Sequence, residues 1–84
     1  MIYSVVLPRH CQKALDRLPD EVAERILKKL ATLETAPRNP DAKKLKGRPA
    51  WRVRVGDYRV IYEIDDSLRQ VLVIVVGHRR EVYR

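Results

Sequence analysis

The hydrophobic and polar positions change period along this chain. A short β-branched run, "IYSVVL" (residues 2–7), is stopped by Pro8 and predicts a first strand. In "RHCQKALDRL" the apolar positions Cys11, Ala14, Leu15 and Leu18 recur at helical spacing, and Pro19 ends that helix. The pattern restarts in "PDEVAERILKKLATLE", with Asp20 as the expected N-cap and Val22, Ile26, Leu27, Leu30 and Leu33 as an apolar stripe. Lys28 and Lys29 fall toward the C-terminal half of this second helix, where its dipole favours cations. From Thr35 to Ala50 the periodicity disappears and prolines recur, which predicts a long loop. Three strand-like runs follow, "WRVRV", "YRVIYEI" and "QVLVIVV", separated by "GD" and "DDSLR"; the last is apolar on both faces, as expected of a strand covered on both sides. The order predicts one α+β domain over residues 1–84: an N-terminal strand, a two-helix hairpin, then three antiparallel strands with the helices over the sheet.

Gly56-Asp57 fits a two-residue type II′ turn, and a two-residue turn fixes the register of the arms. Arg54 then faces Arg59, Arg52 faces Ile61 and Trp51 faces Tyr62. Because strand side chains alternate, Trp51, Val53, Val55, Tyr58, Val60 and Tyr62 share one face, which is expected to be core. Arg52, Arg54, Arg59, Ile61 and Glu63 share the other. Arginine opposite arginine destabilises a hairpin, so stability does not account for the pair. Asp57 and Glu63 supply two carboxylates against three arginines, and the excess charge predicts a face that is open to water or occupied by an anion.

Composition sharpens this expectation. The net charge is +7 on 84 residues, with a sequence pI near 10.0. Such an excess favours polyanionic partners. Every lysine lies at or before Lys46, and the basic side chains beyond it, His78 apart, are arginines, whose planar fork grips phosphate oxygens in pairs. Lys43, Lys44, Lys46 and Arg48 in the long loop are further candidates for phosphate contact. One cysteine and two separated histidines offer no metal-ligand cluster and fit a reducing compartment, so no metal and no cofactor are expected. The amino terminus is too short in apolar residues for a signal peptide, and no window approaches a membrane span, which predicts a soluble cytoplasmic protein.

The tail "VGHRREVYR" delivers His78, Arg79, Arg80 and Tyr83 after the most apolar strand. A group that titrates near neutrality, a phenol and permanent cations suit metal-free RNA cleavage. That reaction needs a base for the 2′-hydroxyl, cations for the charge growing on phosphorus and an acid for the departing 5′-oxygen.

Together, "KLKG", the "GDYRVIY" hairpin and the closing "VGHRREVY" give the chain a resemblance to the RelE family of bacterial and archaeal toxins from type II toxin-antitoxin pairs, over nearly its whole length. The resemblance implies a small RelE-like RNase fold. It also implies a ribosome-dependent mRNA interferase that enters the A site of the 70S ribosome and cuts mRNA without metal, leaving a cyclic phosphate and a 5′-hydroxyl. By motif, Lys46 would contact RNA, Arg52 and Arg54 would bind phosphate, and Arg59 would stabilise charge. Arg79 would be the acid or a charge stabiliser and Tyr83 the base, with His78 able to share or take the acid's task and Arg80 adding to RNA binding. Well-studied members carry lysine where this chain has Arg52 and Arg54; arginine keeps its proton, so these positions supply charge rather than protons. The chain is expected to lack the C-terminal helix of longer relatives. Expected partners are a cognate antitoxin, the ribosome with its mRNA, and operator DNA mainly through the antitoxin. Two alternatives share the fold: a ParE-like inhibitor of DNA gyrase, and a degenerate member that only binds its antitoxin.

Overall fold

A computed structural model describes residues 2–78, so the expectations placed on Arg79, Arg80 and Tyr83 lie outside the described residues. The elements are β1 (Ser4–Val6), α1 (Arg9–Asp16), α2 (Asp20–Leu33), β2 (Lys43–Lys44), β3 (Trp51–Val55), β4 (Tyr58–Asp65) and β5 (Gln70–His78). The expected α+β order is present, with two additions. The strands form one sheet in the order β1-β5-β4-β3-β2, and β1 joins it parallel to β5, so the sheet is mixed rather than wholly antiparallel. The long loop also contributes a strand, β2, which pairs Lys43 with Arg52 and Lys44 with Trp51.

Helix α2 differs from expectation at its start. Pro19, in extended backbone, occupies the N-cap position without a side-chain cap, and Asp20 is the first helical residue. Proline has no N–H to leave unsatisfied, and Asp20 and Glu21 still place negative charge at the positive end of the helix. The helices cover one face of the sheet. Ile26, Leu30 and Leu33 of α2 and Cys11 and Leu15 of α1 close over Val53, Val60, Tyr62, Val71 and Val73, all buried. Each such aliphatic side chain contributes roughly 1.5–3 kcal/mol by leaving water.

The hairpin register is the one expected, from Val55 opposite Tyr58 to Trp51 opposite Tyr62. Gly56 has φ +59, while Arg69 is the one non-glycine residue of positive φ among those described. Positive φ at Gly56 alone matches the type II′ turn.

Strand β5 carries a β-bulge. Tyr62 pairs with Val73 but Ile61 pairs with Val75, leaving Ile74 extra. Helix α1 holds the bulge: Nε2 of His10 donates to the Ile74 carbonyl at 2.8 Å, and the Cys11 thiol reaches the same oxygen at 3.6 Å. Beyond the bulge the faces of β5 exchange, so Val76 and His78, rather than Val75 and Gly77, point to the helix side. The outer face of β5 is also less covered than its apolar run suggested, with Leu72 exposed and Val75 half-buried.

The loop after α2 is pinned. The Tyr62 hydroxyl donates to the Pro37 carbonyl at 2.6 Å, Arg38 lies over the Trp51 ring and forms a forked pair with Asp66, and Lys29 bonds Asp41 at 2.6 Å.

Candidate functional site

Arg52, Arg54 and Arg59 share the face of the β3–β4 hairpin turned away from the helices, as the alternation requires. Their environments differ. Arg54 is exposed and Arg52 half-buried, but Arg59 is only 2% exposed. The expected open face is therefore closed at β4, where Arg59 and Ile61 are both buried. The Arg59 guanidinium folds back toward the turn and donates from one terminal nitrogen to the carbonyls of Tyr58 (3.2 Å) and Gly56 (3.5 Å). Its Nε has no hydrogen-bond partner among the described residues. No carboxylate pairs with it: the ion pairs among the described residues are Lys29–Asp41 and Arg38–Asp66, and neither Asp57 nor Glu63 takes part. A buried permanent cation that meets two carbonyl dipoles and no carboxylate among the described residues is poised for an anion.

Around this face the structure brings together some of the predicted basic residues. Lys43 on β2 stands opposite Arg52, and these two with Arg54, Lys29 and Asp41 line a groove of about 430 Å³. Lys44 sits opposite Trp51, and Lys46 and Arg48 are exposed on the turn between β2 and β3, lining no part of that groove. His78 is on the other side of the sheet. The bulge turns its ring toward Tyr58, edge to face at 5.4 Å, in a pocket shared with Ala14 of α1 and with Arg17 and Leu18 just after it. The extra residue in β5 thus sets His78 on the helix side of the sheet, opposite the arginine face.

A second groove was not anticipated. β2 pairs only with Trp51 and Arg52, so the outer edge of β3 is open beyond them. There α2 runs alongside, and Arg25, Lys28, Lys29 and Thr32 with Arg54, Val55 and Gly56 line a groove of about 350 Å³. The signal was in the sequence, since Arg25, Lys28, Lys29 and Thr32 have the i, i+3, i+4, i+7 spacing of one helix face.

Among titrating groups, the forked Arg38 pair and the Tyr3 hydroxyl at 2.6 Å hold the Asp66 carboxyl down at about 2. Burial pushes the Tyr62 phenol up to about 12. Among the described residues no three of His, Cys, Asp and Glu gather as metal ligands, and no helix is long and apolar enough to cross a membrane.

Comparison with known proteins agrees with the motif resemblance. The sequence profile of the family described as "ParE toxin of type II toxin-antitoxin system, parDE" matches residues 5–83. The mRNA interferase toxin RelE of Escherichia coli K12 is 34% identical over 88 aligned positions, covering 99% of this chain and 92% of that protein. Among solved structures, the RelE–RelB complex of Pyrococcus horikoshii superposes with a TM-score of 0.80 at 33% identity, covering 94% of this chain and 97% of the other. The RelBE2 toxin-antitoxin complex of Mycobacterium tuberculosis gives 0.83 at 26% identity, covering 94% and 100%. With a profile match along most of its length and relatives of this similarity and fold, the chain belongs to the RelE/ParE family, as the toxin of a type II toxin-antitoxin system.

Proposed function

We propose that this toxin is an endoribonuclease of the RelE kind, acting in the cytoplasm on mRNA in the ribosomal A site, without metal, and held inactive by a cognate antitoxin. The observation that carries the reading is Arg59, a buried cation with no carboxylate partner among the described residues, beside Arg52 and Arg54 on one sheet face. An mRNA phosphate supplies the missing negative charge. The 2′-oxygen attacks phosphorus as a base removes its proton, the P–O5′ bond breaks, and the 5′-oxygen takes a proton, leaving a cyclic phosphate and a 5′-hydroxyl. Arg59 stabilises the charge that grows on the phosphoryl oxygens, a task its fixed geometry suits. Arg52, Arg54, Lys43 and the remaining loop cations Lys44, Lys46 and Arg48 hold the backbone, with Arg80.

Proton transfer falls to Tyr83 as base and to Arg79 as acid or charge stabiliser. His78, across the sheet from Arg59, serves as acid only if the RNA rounds the end of β5. The described side chains offer no strong base on the arginine face, so cleavage of naked RNA is slow and the ribosome supplies the in-line alignment. The neighbouring RelB–RelE complexes support an antitoxin partner, which contacts operator DNA on the pair's behalf.

The family profile carries the name ParE, which favours gyrase inhibition as the second reading. Primer extension on programmed ribosomes, run beside a gyrase supercoiling assay, separates the two. Cuts within A-site codons that fall by ~10²-fold in Arg59→Ala are expected. Intact mRNA with inhibited supercoiling overturns the nuclease reading. Tyr83→Phe is expected to slow cleavage, and near-normal rates would transfer the base's role elsewhere.

A further inference from the structure

The arginine face does not account for the cations of α2. Arg25, Lys28 and Lys29 stand on one helical face, and Arg54 lines the same groove at the open edge of β3. Glu21 and Glu24 stand one turn before Arg25 and Lys28, the favourable order for ion pairs on a helix, yet neither pair closes to a salt bridge among the described residues, which leaves these cations to the groove. Asp41 pairs with Lys29, but among the described residues Arg25, Lys28 and Arg54 have no carboxylate partner, and all three are exposed. The groove has no acidic lining residue. The Arg25 guanidinium lies over the β3–β4 turn, 3.7 Å from where a Cβ on Gly56 would sit, and the Gly56 carbonyl accepts from Arg59. One turn thus joins the α2 cluster to the arginine face.

We propose that the α2 face of this groove, formed by Arg25 and Lys28 with Arg54, is a second phosphate-binding subsite, taking an RNA backbone segment beyond the one held at Arg59. The inference rests on the endoribonuclease reading for its ligand. An acidic protein segment is the other chemistry that fits the charge. Protein interfaces are anchored by buried apolar and aromatic side chains. Here the apolar lining is Val55, already buried, with nothing exposed to receive an anchor. A sugar-phosphate chain needs cations spaced along a groove and no apolar seat.

The test uses the full chain with Arg25→Gln and Lys28→Gln together, both exposed positions that leave the core untouched. Arg9→Gln with Lys13→Gln on α1 removes the same charge away from the groove. The probe is a fluorescent single-stranded RNA oligonucleotide, titrated by anisotropy over a range of sodium chloride, with A-site cleavage measured on programmed ribosomes in parallel. The α2 variant is expected to bind RNA about tenfold more weakly at low salt, with a salt slope shallower by about 1.4, from ~0.7 for each of two phosphate contacts. Its cleavage rate at saturating toxin stays normal while the toxin concentration needed rises. Equal losses in the α1 variant would reduce the effect to net charge and overturn the proposal. Unchanged RNA binding with weakened antitoxin binding would overturn it in favour of a protein ligand. If wild-type protein cuts no mRNA yet the α2 variant alone loses RNA affinity, the subsite stands and the nuclease reading falls. If wild-type protein cuts mRNA, Arg59→Ala abolishes the cuts and the α2 variant binds RNA like wild type, the nuclease reading stands and the subsite falls.

Discussion

Arg59 carries a permanent charge where solvent barely reaches, and among the described residues its compensation is two carbonyl groups. Removing an uncompensated buried charge relieves its desolvation. Arg59→Met, similar in length and uncharged, is therefore expected to stabilise the fold by about 1 kcal/mol or more, which in a domain of this size raises the melting temperature by roughly 4–8 °C. On the endoribonuclease proposal, the same variant is expected to lose mRNA cleavage. Thermal unfolding by circular dichroism checks the first part; a lower melting temperature would mean that the carbonyl bonds outweigh the buried charge. Tyr62 makes the opposite case, a buried phenol fully used by Pro37. Tyr62→Phe leaves that carbonyl unsatisfied and is expected to cost about 1–3 kcal/mol. Because the folded phenol is raised to about 12 from 10.0, its contribution is complete below pH 10 and fades as pH rises toward 12. The Phe variant should lack that alkaline decline in a urea-melt series.

At the level of the elements, Asp66 ties the β4–β5 turn to β1 through Tyr3 and to the proline-rich loop through Arg38. Its carboxyl is depressed to about 2 from 3.8, so the tie is present above pH 4 and is lost as pH falls through about 2. Asp66→Asn is expected to flatten the acid limb of the stability profile between those values, measured by thermal melts across pH; an unchanged limb would assign acid sensitivity to other carboxylates. The hairpin was readable in the sequence because Gly56-Asp57 leaves one register for its two arms. The bulge at Ile74 was not, since "VLVIVV" has no polar residue whose displacement marks a slip of one position. That slip is what sets His78 on the helix side of the sheet, a side the sequence pattern could not assign. β2 was hidden for a related reason: two exposed lysines among prolines carry no strand pattern, and only β3 supplies the pairing. The cations of α2 were visible but read through the helix dipole alone, whereas the packing of α2 along the β3 edge gives them a second surface to face.

The whole molecule carries a net charge of +7, against which the described residues set only two ion pairs. Self-repulsion on this scale destabilises the compact state and is screened by salt. Raising sodium chloride from about 0.05 to about 0.5 M is expected to increase the melting temperature, because the Debye length shortens from more than 10 Å to less than 8 Å. A fall would show that attractive surface pairs dominate instead. The parallel pairing of β1 with β5 bears on how such a toxin is made. Val5 meets Val71, nearly the full described length of the chain away, and no local contact can substitute for that partner. A nascent chain therefore leaves the ribosome with its first strand unpaired until its last strand has been synthesised. The arginine face, on β3 and on β4 beside that same strand, is completed only once β5 has joined the sheet, so an antitoxin already in solution can meet the toxin while it is still folding.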